Sequence, residues 1–406
     1  MSNLKAPTLK NVARYLHRYL GLAVGAPVFV FCASACVLLV RPEVERFLEP
    51  ERYYAASSDG ERLPLDSLLE RLIAAEKAEL GDADVVATRV QIPCDRRLNY
   101  CVHLAADDGE DAWNYVVYVD PYTAEPRAWG ASESTAFWGA TKRFHRFLGI
   151  GPEYGVPIGG AATLLSLLVV LTGLVRWYPL KRGGKRTWSD WKRGLTLTLN
   201  RGTTRAVFDL HNVVGFYVAA SFFLLAATGV WESYRWARSA FAAVVDVSEP
   251  EIAIKAPTPG PAKLTLQEIL ERQNDVAPER GDLDFWLPSE GEAAYFRKGG
   301  GTFFAGPAKD GYYWDAATGE ALGVEKHSAR PWGARAWDAV TPLHTGEIFG
   351  KASRWFFFVV CFGTCVVCAS GYWWTLIRWR NKLRAKNAKR VAAALKKDAE
   401  TSGKAA

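Results

Sequence analysis

Four histidines, His17, His145, His211 and His344, each stand near the end of a long apolar stretch, with a glycine following at short range. The local strings are Leu16-His17, Phe144-His145, Leu210-His211 and Leu343-His344, in a chain with six histidines in all. An imidazole at membrane depth is costly unless it carries function. Two pairs of imidazoles are what two bis-histidine haems need, and iron ligated on both faces suits electron transfer rather than oxygen binding. These four residues are therefore the candidate iron ligands. Zinc or copper would ask for further Cys, Asp or Glu at matching depth, and few candidates stand there.

The elements that must position these side chains are membrane spans. Apolar runs over 20–40, 156–175, 213–230 and 355–377 can each, with flanks, cross a hydrocarbon core needing roughly 20 helical residues. The expected layout is an N-terminal segment 1–18, spans at 19–40, 156–176, 207–232 and 354–378, and outer domains at 41–155 and 233–353. A basic loop at 177–206 and a basic tail at 379–406 complete it. Charge sets the orientation. Residues 1–18 carry Lys5, Lys10, Arg14 and Arg18 without an acid. The middle loop sets Arg176, Lys181, Arg182, Lys185, Arg186, Lys192, Arg193, Arg201 and Arg205 against Asp190 alone. By the positive-inside rule both termini and this loop are cytoplasmic, and the acidic segments lie outside. The net charge of +7 is thus a topology signal, and nucleic-acid binding is not expected. The first apolar run is too long for a cleaved signal, and cleavage would discard His17, so it reads as an anchor.

An internal repeat organises the chain. Leu16-His17 through Gly21 corresponds to Leu210-His211 through Gly215. The Asp120-Pro121-Tyr122-Thr123-Ala124-Glu125 turn corresponds to Asp315-Ala316-Ala317-Thr318-Gly319-Glu320, and Phe144-His145 corresponds to Leu343-His344. His211 follows His17 by 194 positions, Asp315 follows Asp120 by 195, and His344 follows His145 by 199. Each unit is a span, an outer domain and a second span. Amphipathic helices are expected at Leu65–Leu80 and Leu264–Gln273, and a strand at Asp111–Asp120. Asp120 and Asp315 read as turn-makers rather than catalysts.

Depth pairs the histidines. His17 and His211 each open an outward-going span, and His145 and His344 each precede an inward-going one. From His145 to Arg176 a continuous helix would run roughly 45–50 Å, so breaks are expected near Pro152 and Pro157. Gly21, Gly149, Gly215 and Gly346 would let a flat macrocycle approach the backbone. Arg14, Arg18, Arg143, Arg146 and Arg354 are candidate partners for its propionates. Trp138, Trp332 and Trp337 are candidate walls for a docked substrate or interfacial belt residues. His103 and His327 read as surface residues.

The cysteines divide by location. Cys94 and Cys101 suggest a hairpin closed by a disulfide in an oxidising compartment, with two free thiols as the alternative. Cys32, Cys36, Cys361, Cys365 and Cys368 lie in spans, as a thiolate metal site or, more simply, as small polarisable packing residues.

The arrangement resembles the PepSY-associated transmembrane family, whose members include inner-membrane ferric-siderophore reductases. The resemblance rests on Asp209-Leu210-His211 with Gly215, on Leu343-His344-Thr345-Gly346 with Gly350, and on the Asp-x-x-Thr-x-Glu turns. It implies an α-helical inner-membrane protein of four transmembrane helices with two periplasmic α+β PepSY-like domains. It also implies two b-type haems held by His17, His145, His211 and His344, and reduction of a periplasmic ferric siderophore or other ferric chelate. No GxGxxG motif follows a strand, so electrons are expected from quinol or a separate flavoprotein. Two rival readings remain: a membrane-anchored module that binds or inhibits a periplasmic peptidase, and the haem subunit of a quinol-linked oxidoreductase complex.

Overall fold

A computed structural model describes residues 8–402 except 82, 110, 133, 179–186, 199, 201, 249–251, 280 and 300–307. Lys5, Lys181, Arg182, Lys185, Arg186 and Arg201 of the basic segments lie outside the described residues. In chain order the helices are α1 Leu9–Leu39, α2 Arg41–Leu48, α3 Pro50–Tyr53, α4 Leu65–Leu80, α5 Thr135–Phe147, α6 Pro152–Trp177 and α7 Trp188–Leu195. They continue with α8 Thr203–Asp209, α9 Gly215–Ser233, α10 Arg235–Val244, α11 Leu266–Val276, α12 Trp332–Thr345 and α13 Gly350–Ser402. The strands are β1 Asp84–Ile92, β2 Tyr100–Asp107, β3 Ala112–Val119, β4 Pro126–Trp129, β5 Leu283–Trp286, β6 Ala293–Gly299, β7 Lys309–Asp315 and β8 Ala321–Glu325. These elements form two compact units, one within 1–37, 141–235 and 357–406 and the other within 38–140 and 236–356.

The first unit contains the spans. Four helical stretches are long and apolar enough to cross a membrane: Leu9–Leu39, Pro152–Trp177, Thr203–Ser233 and Gly350–Ala393. The third is α8 and α9 joined by a π-helical turn, Leu210–Val214. All four outrun the apolar windows read from the sequence, because a helix satisfies its own backbone groups on both sides of the hydrocarbon. Pro27 and Pro157 sit inside α1 and α6 without ending them. Of the breaks expected near Pro152 and Pro157, the first is present, over 148–151 just before Pro152, where Leu148, Gly149 and Gly151 take φ values of 53°, 77° and 85°; the second is absent. Pro152 then opens α6, its fixed φ suiting a first helical turn. His145 is therefore on a separate short helix, α5.

The second unit is built on one antiparallel sheet of eight strands, ordered β4-β3-β2-β1-β5-β6-β7-β8. The two expected domains are halves of this single sheet. They join at the β1–β5 ladder, from Arg89 opposite Trp286 to Ile92 opposite Leu283. Separate halves would each leave an unpaired edge strand, and the ladder removes both. One face is covered by α4 and α11. Leu65, Leu68, Leu69, Leu72 and Glu76 are the buried positions of α4, the spacing of an amphipathic stripe. Ile269, Leu270 and Gln273 do the same for α11. Beneath them lie Val85, Val90, Val102, Leu104, Val117, Phe285 and Phe296, each such side chain contributing about 1.5–3 kcal/mol on burial.

Polar groups repeat along with the frame. Asp66 accepts from the backbone N–H groups of Leu266 and Gln267 at 2.8 and 2.9 Å, and the Gln267 side chain accepts from the Leu65 N–H at 3.0 Å. The two helix N-termini thus supply acceptors to each other. Buried Glu76 accepts from the Tyr115 hydroxyl and the Trp129 indole, as Gln273 accepts from the Trp314 indole. Both Asp turns are structural. Asp120 accepts from the N–H groups of Tyr122 and Ala56, and Asp315 from those of Ala317 and Thr258.

Candidate functional site

His17 lies on α1 and His211 in the π-helical turn. Their ring centres are 6.0 Å apart, with the planes inclined by 71°. Each ring is anchored through Nδ1 to a helix carbonyl: His17 to Val169 on α6 and His211 to Val367 on α13, both at 2.9 Å. A carbonyl can only accept, so both Nδ1 atoms carry the proton and both Nε2 atoms keep a lone pair. Glycines make room for the rings. A Cβ at Gly173 would meet His17 Cε1 at 3.0 Å, and one at Gly371 would meet His211 Cε1 at 3.1 Å.

Reading the sequence missed these four supports, although a signal for them exists. Gly371 follows Val367 as Gly173 follows Val169, and both elements recur at 198 residues. Gly21 and Gly215 face the same two valines, with room for a Cβ at ordinary contact distance. Their Cβ positions face Val169 at 3.8 Å and Val367 at 3.7 Å. Gly149 and Gly346 take positive φ where α5 and α12 have ended.

Charge gathers near the pair. Arg176 lies within electrostatic reach of Arg14, Arg378, His17 and His211. Arg205 holds buried Asp209, two residues before His211, with Nε 3.0 Å from Oδ2 and a terminal nitrogen 2.9 Å from Oδ1. Of the other arginines singled out, Arg18 and Arg146 are exposed beside Tyr19 and Phe147. Arg143 is exposed, and Arg354 is taken up by an ion pair with Glu43.

The chain belongs to the PepSY-associated transmembrane family. The family model, described as the PepSY-associated TM region, matches residues 14–378. Among curated proteins no sequence matches the chain. In this family member, His145 on α5 turns Nδ1 toward α1, 3.0 Å from the Phe31 carbonyl and 3.2 Å from the Ser34 hydroxyl. His344 is the penultimate residue of α12.

Other candidates resolve differently. Trp138 is buried, its indole donating to Ser134 at 2.7 Å under the Arg41 guanidinium, so it walls no dock. Trp332 is exposed, and Trp337 packs against Phe241. The expected Cys94–Cys101 bridge is not formed, and both are free thiols. Register explains why: Cys101 stands opposite Gln91, three residues before Cys94, about 10 Å along an extended chain. That exceeds the span of a disulfide. Burial pushes the Cys101 thiol up to about 11. His327 lies 3.9 Å from Asp338. His103 is half-buried rather than on the surface. Among the described residues, no group of three or more His, Cys, Asp or Glu could hold a metal ion.

Proposed function

We propose that this protein carries electrons across a membrane and reduces a ferric chelate, such as a ferric siderophore, on the periplasmic side of a bacterial inner membrane. The observation that carries the reading is the His17–His211 geometry. Two imidazoles bonded to one metal at about 2.0–2.1 Å place their ring centres roughly 6 Å apart, and the observed separation is 6.0 Å. The donor set fits a group that brings its own equatorial ligands, because two nitrogens are what the chain offers there.

His17 and His211 would hold the iron of one b-type haem through Nε2, and the sequence repeat alone assigns His145 and His344 to a second. A haem so held supplies a one-electron ferric–ferrous couple without an open coordination site. The chain's residues do the rest. The Val169 and Val367 carbonyls fix ring tautomer and orientation and make each imidazole a better donor. Arg14, Arg176 and Arg378 repel one another unless an anion sits among them, and propionates would supply it. The positive-inside rule supports a cytoplasmic position for this end, where quinol or a separate flavoprotein would deliver electrons. Iron(II) is held less tightly than iron(III) by hard oxygen chelators, so reduction releases it.

The test is a reduced-minus-oxidised visible spectrum of the detergent-purified protein with haem stoichiometry. Two low-spin b-type haems per chain, one of them lost in His211→Ala, would support the assignment. A colourless protein after expression with ample haem would overturn it in favour of an anchored binding module.

A further inference from the structure

The sheet face opposite α4 and α11 carries chemistry that the membrane histidines do not use. Strand register aligns one row across it: His103 on β2, Arg89 on β1, Trp286 on β5, Tyr295 on β6 and Tyr313 on β7. All five are half-buried. The three aromatic residues form a ladder, with ring centres 5.1 Å apart from Trp286 to Tyr295 and 4.6 Å from Tyr295 to Tyr313. Arg89 lays its guanidinium over Trp286 at 4.4 Å. Gly311 permits the close approach, since a Cβ there would meet the Tyr295 ring at 3.2 Å.

Along the row the cations Arg89, Lys309 and Arg297 outnumber the acids Asp284 and Glu325, the latter beside Tyr295 across Gly311, which favours an anion. Asp284 accepts from Arg89, Gln91 and Lys309, so its charge is spent on neighbours. The register neighbour of Asp284 on β6 is Arg297, which is exposed. Two atoms in the row stand without a hydrogen-bond partner, Arg89 Nε and His103 Nε2, on residues directly opposite each other. A buried donor left unmatched is costly, and a charged one more so. Burial, then the Arg89 charge, holds the His103 imidazole below its ordinary value, so it is neutral at pH 7. A neutral imidazole can meet either a donor or an acceptor.

We propose that this row is a docking surface for an anionic ferric chelate bearing aromatic rings. The Arg89 guanidinium, on a side chain 26% exposed, faces the ligand's oxygens with the neutral His103 beside it, and the Trp286–Tyr295–Tyr313 ladder packs against the ligand's rings. The inference rests on the ferric-chelate reading and names the substrate class. A neutral aliphatic chelate would use neither the guanidinium nor the stack.

Equilibrium binding to the full chain in detergent, without any reductant, tests it. The probes are ferric 2,3-dihydroxybenzoate, anionic and aromatic, and ferric acetohydroxamate, neutral and without rings. The aromatic complex should bind at least about tenfold more tightly, and Trp286→Ala and Arg89→Gln should each weaken it about tenfold. Arg89→Gln also loosens Asp284, so Tyr313→Leu, remote from that ion pair, serves as the second variant and should cost severalfold with melting unchanged. Equal affinity for both complexes, or unchanged affinity in Trp286→Ala and Tyr313→Leu, would overturn the proposal. His17→Ala/His211→Ala protein should bind the aromatic complex as wild type does. Wild-type protein that binds the aromatic complex but fails to reduce it once a reductant is supplied would sink the reductase reading and leave the docking surface standing.

Discussion

In the first half of the chain His17 is tied to Val169 beside Gly173, and in the second His211 is tied to Val367 beside Gly371. The bonds have the same length, and the glycines have nearly the same clearance. At the positions flanking these pairs the halves part company. Arg14 and Arg176 stand where the second half has Phe208 and Trp374, whose rings pack at 5.3 Å. The second histidine also sits in a π-helical turn that α1 lacks, a feature common at functional sites. The sheet divides the same way: His103 and Arg89 come from the first half, and the aromatic ladder from the second. Shared features hold the frame, and the unshared ones supply different chemistry on its two sides.

The largest expected effect attacks the shared part. His17→Ala and His211→Ala should each abolish one of two low-spin haem signals, equally, if both ligate one iron. Loss in one variant and retention in the other would show that the symmetry of the pair is not functional. Enlarging the glycines should act alike from both sides. Gly173→Val and Gly371→Val push methyl groups into rings already 3.0 and 3.1 Å from a bare Cβ. Haem affinity on titration should fall by about tenfold or more in each, a cost near 1.4 kcal/mol.

The unshared part should respond unequally. Arg176→Gln removes one of three clustered cations and should weaken haem retention by about 1 kcal/mol or more, whereas Trp374→Leu should leave it nearly unchanged. Equal losses in the two would argue that the arginine cluster has no anion to hold.

Local pattern made much of this legible. The α4 stripe, the Asp turns and the facing of His17 and His211 all follow from spacings within one turn or one repeat. What escaped depends on partners far away in the chain. Val169 and Val367 act through backbone carbonyls, which leave no mark in a side-chain pattern. The single sheet hinges on Val90 pairing with Phe285, a register that neither half specifies alone. Cys94 and Cys101 have a hairpin's spacing, but the ladder with Gln91 decides what they face.

A separate effect, on folding rather than on haem, comes from the second Asp turn. Burial works to raise the Asp315 carboxyl, but hydrogen bonds from Thr258, Ala317 and Thr318 outweigh it and hold the group at about 2. A depressed folded value means the stabilisation is complete above the unfolded carboxylate value near 3.9 and is lost as pH falls through about 2. Asp315→Asn should therefore lower stability by about 1.5–3 kcal/mol at pH 7. The gap from wild type should close as thermal melts are taken from pH 5 down to pH 2. A gap independent of pH would assign the loss to packing rather than charge.

The smallest effect lies four residues further along each turn. Ala124 has φ 63° and Gly319 φ 70°, so both turns need the left-handed conformation and only the second has the residue suited to it. Ala124→Gly removes the strain of a side chain there but gives the unfolded chain more freedom, and the two terms oppose. The strain is the larger where φ is positive, so a net gain of about 0.4–1 kcal/mol is expected. The reverse change is not its mirror image. A Cβ at Gly319 would stand 2.6 Å from the Arg272 guanidinium, which donates to the Gly319 carbonyl at 2.8 Å. Gly319→Ala must both strain the turn and displace that arginine, so its loss should exceed the gain at Ala124. Equal and opposite shifts in melting temperature would show that backbone conformation alone sets the difference between the two turns.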